Sequence, residues 1–273
     1  MSWCLLDRFS FPSCKKKVYM KAKHLKSIVV ASVFGLLSLT SYSQEKEEEN
    51  TFKQLIQEFP FSTSVYVQEK NEIQLTGSYF HAESDEEIGN NAGFEMEYGI
   101  LDGFQVSGGY SYSHNKAEDG SYHINALEAG TMFSFFNNAK NSMALSVEAQ
   151  FPLNSLPEEN EEDKPSYEST LSYGVQFGKT QIHLNAGAEL QNEKVSWIYN
   201  VAAVYGEGYW HPMLELNTED EEEFNTYLGP GVNYNCESGW ELSSGIRHGL
   251  NNDNWAASIK LIYEFKVGAK ENS

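Results

Sequence analysis

Cysteine is nearly absent. Cys4, Cys14 and Cys236 are the only three in 273 residues, and the first two fall before a segment that reads as removed on export. A single remaining thiol excludes an internal disulfide, so backbone pairing and packing must hold the fold. Positive charge is scarce as well. Without residues 1–43 the chain keeps 12 basic against 38 acidic residues, a formal charge of −26. Nucleic acid is excluded as a partner, because phosphate contacts need basic patches. Long apolar runs are also missing beyond residue 43, so no segment there has the roughly 18–20 apolar residues of a membrane-spanning helix.

The front end does have a recognisable order. Lys21, Lys23 and Lys26 form a basic start, Ile28–Leu39 is a short apolar core, and Ser41-Tyr42-Ser43 supplies small residues before Gln44. That is the three-part pattern of a secretory signal peptide, expected at 20–43, with mature protein starting near Gln44. Residues 1–19 precede a second good initiator, Met20, and read as a mis-assigned upstream start. Residues 44–70 open as an acidic tether and read as a periplasmic N-terminal segment, amphipathic or extended.

What is abundant is alternation. In "AGFEMEYGILDGFQVSGGYSYSH", Phe94, Met96 and Tyr98 alternate with Glu95 and Glu97, and Phe104, Val106, Tyr110 and Tyr112 keep the same rhythm. A period of two is the mark of a strand with two different faces. Twelve such segments are expected, near 71–81, 92–98, 104–113, 122–135, 142–152, 167–177, 181–190, 195–205, 209–216, 225–234, 240–248 and 255–265. Many approach the roughly 9–11 residues with which a tilted strand crosses a bilayer.

The connections separate a soluble sandwich from a membrane barrel. Taken in order, they alternate between two kinds. The set 82–91, 114–121, 153–166, 191–194, 217–224 and 249–254 holds 18 acids, whereas 99–103, 136–141, 178–180, 206–208 and 235–239 hold three. Outer-membrane barrels have short periplasmic turns and longer external loops. The expectation is an all-β, antiparallel up-and-down transmembrane barrel of about 12 strands over 71–265, with a tail at 266–273 and loops 153–166 and 217–224 outside the cell. Residues 44–70 would then lie at, or inside, its periplasmic mouth. Trp197, Trp210, Trp240 and Trp255 each sit near a strand start in the apolar phase, as interfacial aromatics do. The last strand, "NWAASIKLIYEF", is similar to the terminal strand by which such barrels are recognised for assembly. Expected partners are therefore outer-membrane lipid, the outer-membrane assembly machinery and a small-molecule solute, in the bacterial outer membrane.

The polar phase places Glu95, Glu97, Glu128, Glu148, Glu168, Glu189, Glu215 and Glu241 toward the lumen, with Arg247 and Lys260 as its main cations. A charge facing lipid mid-membrane costs roughly 2–4 kcal/mol for Arg or Lys, so the inward assignment is favoured. Rings of carboxylates favour cations in a water-filled passage. The competing reading is a packed, closed interior in which these groups pair with one another. His183 and His211 share the lumen phase with Glu189 and Glu215, without the ligand spacing of a metal site. The runs "EENEED" and "EDEEE" lack the Gly-punctuated spacing of a calcium loop. No metal and no cofactor are expected. No Gly-x-Ser-x-Gly elbow, His-Glu-x-x-His helix or phosphate-binding loop is present, so no enzymatic activity and no catalytic residue are expected.

At "EYGILDGFQVSGGYSYS" the sequence resembles the outer-membrane proteins of the meta-pathway of phenol degradation family, with Tyr98-Gly99, a short polar turn and an alternating return through Val106. Pro60–Phe80 is similar to that family's extended lead-in to its first strand, although Asn71 stands where a Gly commonly follows the Lys. The resemblance implies an exported channel or transporter for small molecules, hydrophobic or aromatic compounds among them. The alternative is a closed structural, adhesion or ion-binding barrel without transport.

Overall fold

The computed structural model describes residues 52, 54–84, 87–117, 120–154, 164–206, 208–220, 224–236 and 238–268. The leader, the upstream extension, the start of the acidic tether, the centre of loop 153–166 and the tail after 268 lie outside the described residues.

Twelve strands form, each joined to the next. They are β1 (Glu72–Glu83), β2 (Glu87–Leu101), β3 (Phe104–Ala117), β4 (Gly120–Asn137), β5 (Asn141–Pro152) and β6 (Ser166–Phe177). The second half is β7 (Thr180–Gln191), β8 (Lys194–Tyr205), β9 (Trp210–Asp220), β10 (Phe224–Asn235), β11 (Trp240–Gly249) and β12 (Trp255–Lys266). Every neighbour is antiparallel, and β1 pairs β12 from Glu72↔Lys266 to Glu83↔Trp255, so the sheet closes on itself. Closure leaves no strand edge with unpaired amides, which a lipid environment would not satisfy.

The outward phase is apolar. Phe94, Met96, Leu127, Leu171, Leu184, Leu214, Ile246, Ile259 and Leu261 all stand exposed on it. Water-soluble monomers rarely expose a contiguous apolar patch beyond a few hundred Å². A belt of this kind belongs against hydrocarbon, and the fold is a closed transmembrane-type barrel. Trp210 and Trp240 stand outward at the rim that carries the short turns, here the turn rim. There Trp210 packs on Tyr234 at 4.6 Å and Trp240 stacks on Tyr263 at 4.5 Å. Trp197 and Trp255 stand outward at the opposite, loop rim.

Several strands run further than the alternation suggests. β2 begins at Glu87 and β3 ends at Ala117, and β9 continues to Asp220. The connections 82–91, 114–121 and 217–224 therefore shorten to 84–86, 118–119 and 221–223. The physical reason is that alternation tracks the hydrocarbon whereas pairing does not. Asn90↔His114 and Asn115↔Tyr122 keep the ladder going where both faces are polar, which satisfies the backbone groups there.

Candidate functional site

About eight strands enclose a space that side chains alone can fill, whereas 16–18 leave an aqueous channel. Twelve fall between these limits, and the lumen holds more than side chains. Among the described residues, Phe52 and 54–68 lie inside it. The segment enters at the turn rim, where the Phe52 amide donates to Asn137 Oδ1 at 2.9 Å and Asn235 Nδ2 donates to the Leu55 carbonyl at 2.8 Å. It climbs to an apex at Phe61–Ser62. There Ser62 Oγ donates to Glu215 Oε2 at 2.6 Å and Asn217 Nδ2 to Ser62 Oγ at 3.0 Å. It then descends past Asn185, which donates to the Thr63 carbonyl at 2.9 Å, and leaves by the same rim at Asn71, whose amide bonds the Gly99 carbonyl.

The inner wall is shaped to receive this segment. Phe59 and Ile56 are buried against inward Ala202, Val204 and Met213 of β8 and β9. Phe52 and Val65 pack on inward Met132 and Ala144 of β4 and β5. Apolar side chains in a lumen are unfavourable unless something dry covers them, and the segment is that cover. Gly99 faces the exit, where a Cβ would lie 1.9 Å from the Glu69 carbonyl oxygen. The backbone can pass there only because position 99 has no side chain.

The charged lumen-phase residues differ in whether they hold the segment. Glu97, Glu215, Glu241 and Lys260 hold the segment. Lys260 Nζ lies 2.6 Å from Glu58 Oε2, and Glu241 accepts the Gln57 amide at 2.9 Å and Asn233 Nδ2 at 2.5 Å. Glu97 accepts Gln105 Nε2 at 2.7 Å and Gln68 Nε2 at 3.1 Å. Glu95 stands beside Glu58 of the segment, and the remaining carboxylates lie further toward the loop rim. Glu95, Glu128, Glu148, Glu168 and Glu189 border one cavity of about 230 Å³. Glu148, Glu168 and Glu189 are direct cross-strand neighbours. Across the lumen a second cavity, of about 560 Å³, is bordered by Arg247, Lys260 and Pro60 of the segment. Arg247 Nη1 donates to Glu219 Oε1 at 3.0 Å, and its guanidinium lies 4.5, 5.2 and 5.7 Å from the Tyr227, Phe61 and Phe80 ring centres.

Glu58 is not among the lumen groups that alternation identifies, nor are Phe52, Ile56, Phe59 and Val65. A signal for them exists in the sequence. Inward positions should be polar, yet Met132, Ala144, Ala202, Val204 and Met213 break that phase, marking wall that needs a cover. His183 does not meet other ligands; it is wedged edge-on between Phe59 at 4.7 Å and Phe52 at 6.2 Å. Glu58, Glu95 and Glu97 each bring one carboxylate oxygen within 4.8 Å of the others. Since Lys260 already neutralises Glu58, this is an ion-pair network, and clustered acids alone do not make a metal site.

No protein-family profile matches the chain, and no curated protein matches it in sequence. Solved structures do match. The COG4313 outer membrane channel from Pseudomonas putida F1 superposes with a TM-score of 0.62 at 10% identity, covering 82% of this chain and 100% of that one. The KdgM porin in complex with disordered oligogalacturonate gives 0.52 at 11% identity, over 70% of this chain and 99% of its own. The beta domain of the Bordetella autotransporter BrkA gives 0.51 at 11% identity, over 71% and 99%. At these identities the likeness is one of fold: the chain has the closed antiparallel barrel found in outer-membrane channels and porins.

Proposed function

We propose that the protein is a small-molecule channel of the bacterial outer membrane, delivered there by its leader and closed at rest by residues 52–70. One observation carries the reading. The lumen is occupied by a loop of chain held against the inner wall through side-chain contacts, and water-accessible cavities stand on its loop side. Opening then requires only that the loop move. The excess of carboxylates over Arg247 and Lys260 makes any ion passage cation-preferring. Family resemblance suggests hydrophobic or aromatic solutes. The largely polar inner face supports polar ones instead.

The same loop favours a second reading, a permanently closed barrel whose working surface is its acidic loops. Planar-bilayer conductance and liposome swelling separate the two. The expected outcome is low or intermittent conductance for the intact chain and at least a tenfold rise when residues 52–70 are deleted. If the intact chain supports neither current nor uptake of glycerol or phenol under any membrane potential, the channel reading fails and the closed barrel stands.

A further inference from the structure

The larger cavity has a composition that narrows what it can hold. It opens on the loop side of the segment, and its volume of about 560 Å³ lies within the roughly 300–1,000 Å³ of small-molecule sites. We propose that this cavity, framed by Ser78, Asn91, Ser113, Tyr227, Arg247 and Lys260, binds a neutral, hydroxyl-rich solute of about disaccharide size. These side chains come from six consecutive strands, β10, β11, β12, β1, β2 and β3, so the frame curves around one half of the lumen, with Pro60 of the segment as its floor. The proposal deepens the channel reading by naming its solute, and rests on that reading for access from outside.

Three other chemistries fit less well. An anion would need a free cation, but Arg247 is committed to Glu219 at 3.0 Å and Lys260 to Glu58 at 2.6 Å. Glu83 and Glu87 add two more carboxylates to the border. A cation would approach the guanidinium and the ammonium directly. A purely apolar solute would strip water from Asn91, Ser113 and Ser78 without replacing its hydrogen bonds, at a cost of about 1–3 kcal/mol for each group left bare.

A hydroxyl both donates and accepts, and so suits a wall that presents both functions. That wall is also held in place. Asn91 Nδ2 donates to Ser113 Oγ at 2.8 Å, Asn115 Nδ2 to Tyr122 Oη at 3.1 Å, and Tyr122 Oη to Glu87 at 2.9 Å. Tyr227 and Phe80 flank the Arg247 guanidinium at 4.5 and 5.7 Å, and Glu219 accepts from its Nη1 at 3.0 Å. Groups fixed before binding cost little to order on binding.

Calorimetric titration of the purified full-length chain with four probes tests this: sucrose, galacturonate, putrescine and phenol. Saturable millimolar binding of sucrose is expected, with galacturonate and putrescine at least tenfold weaker. Asn91→Leu should weaken sucrose at least tenfold, and Asn91→Ser less. Should Asn91→Leu fail to assemble, Ser113→Val on the same wall gives the equivalent loss. Absence of saturable sucrose binding, tighter binding of any other probe, or wild-type affinity in folded Asn91→Leu overturns the proposal. Glycerol swelling of liposomes reports the channel separately. Sucrose binding with neither swelling nor current removes the channel reading and leaves the site, whereas swelling without sucrose binding does the reverse.

Discussion

Asn71 ends the lumenal segment with φ at 64°, in the left-handed region where glycine is most at ease and asparagine is the best-tolerated side-chain residue. Asparagine therefore stands there at little conformational cost. Its side chain gains something in return, since Tyr98 Oη donates to Asn71 Oδ1 at 3.2 Å. Asn71→Gly should accordingly change stability by under about 1 kcal/mol, mainly through the freer unfolded chain. Gly99 is the opposite case. A side chain there meets backbone, not a movable tip, so Gly99→Val should force the segment off the wall. With Cys236→Ser and a Ser62→Cys reporter, Gly99→Val should speed thiol labelling at least tenfold while Asn71→Gly leaves it unchanged. The Tyr98-Gly99 pair is legible in the sequence as a resemblance; its reason is not, because the group it accommodates, Glu69, approaches only in three dimensions.

Among the elements, the twelve strands can be read because each advertises itself within ten or so residues through its own alternation. Residues 52–70 cannot be read that way. The spacing of Phe52, Leu55, Ile56 and Phe59 suits an amphipathic turn of helix, yet the segment is irregular, since its partners surround it on several sides. Those partners are remote: Glu58 pairs with Lys260, 202 residues on, and Gln57 with Glu241, 184 residues on. The Glu58–Lys260 pair is largely enclosed, with side chains 17% and 20% exposed, and Glu95 and Glu97 stand beside Glu58. Removing one member leaves the other charge without its partner, which costs more than removing both. Lys260→Met should therefore loosen the segment more than Lys260→Met with Glu58→Gln. The Ser62 reporter should show a coupling of about 0.5–3 kcal/mol between the two substitutions. Additive effects would show that the pair does not hold the segment.

At the scale of the molecule, charge is distributed unevenly around the lumen, with Glu128, Glu148, Glu168 and Glu189 on one wall and Arg247 and Lys260 on the other. Glu148 and Glu168 are like charges directly across a strand pair, an arrangement that costs the sheet a few tenths of a kcal/mol. Glu148→Gln with Glu168→Gln should thus slightly raise resistance to unfolding, measured by the loss of heat-modifiable migration on gels. In the variant lacking residues 52–70, the same pair should reduce cation selectivity in reversal-potential measurements. Unchanged selectivity would mean that ions do not pass along this wall. The wall's composition is legible because alternation assigns faces. The division of its charges between gripping the segment and facing water is not, since both kinds of glutamate occupy the same phase.

The lumenal segment enters and leaves by one rim, with its apex at Phe61–Ser62. A rope pushed into a tube as a doubled bight can be drawn out without passing an end through, and the same holds for this chain. Among the described residues nothing has to be threaded, and no β1–β12 hydrogen bond has to break, for the loop to withdraw. The barrel can therefore close first and receive its loop afterwards, and a pull on the acidic tether would be transmitted first to Phe52 and Leu55, unseating the near limb before the apex.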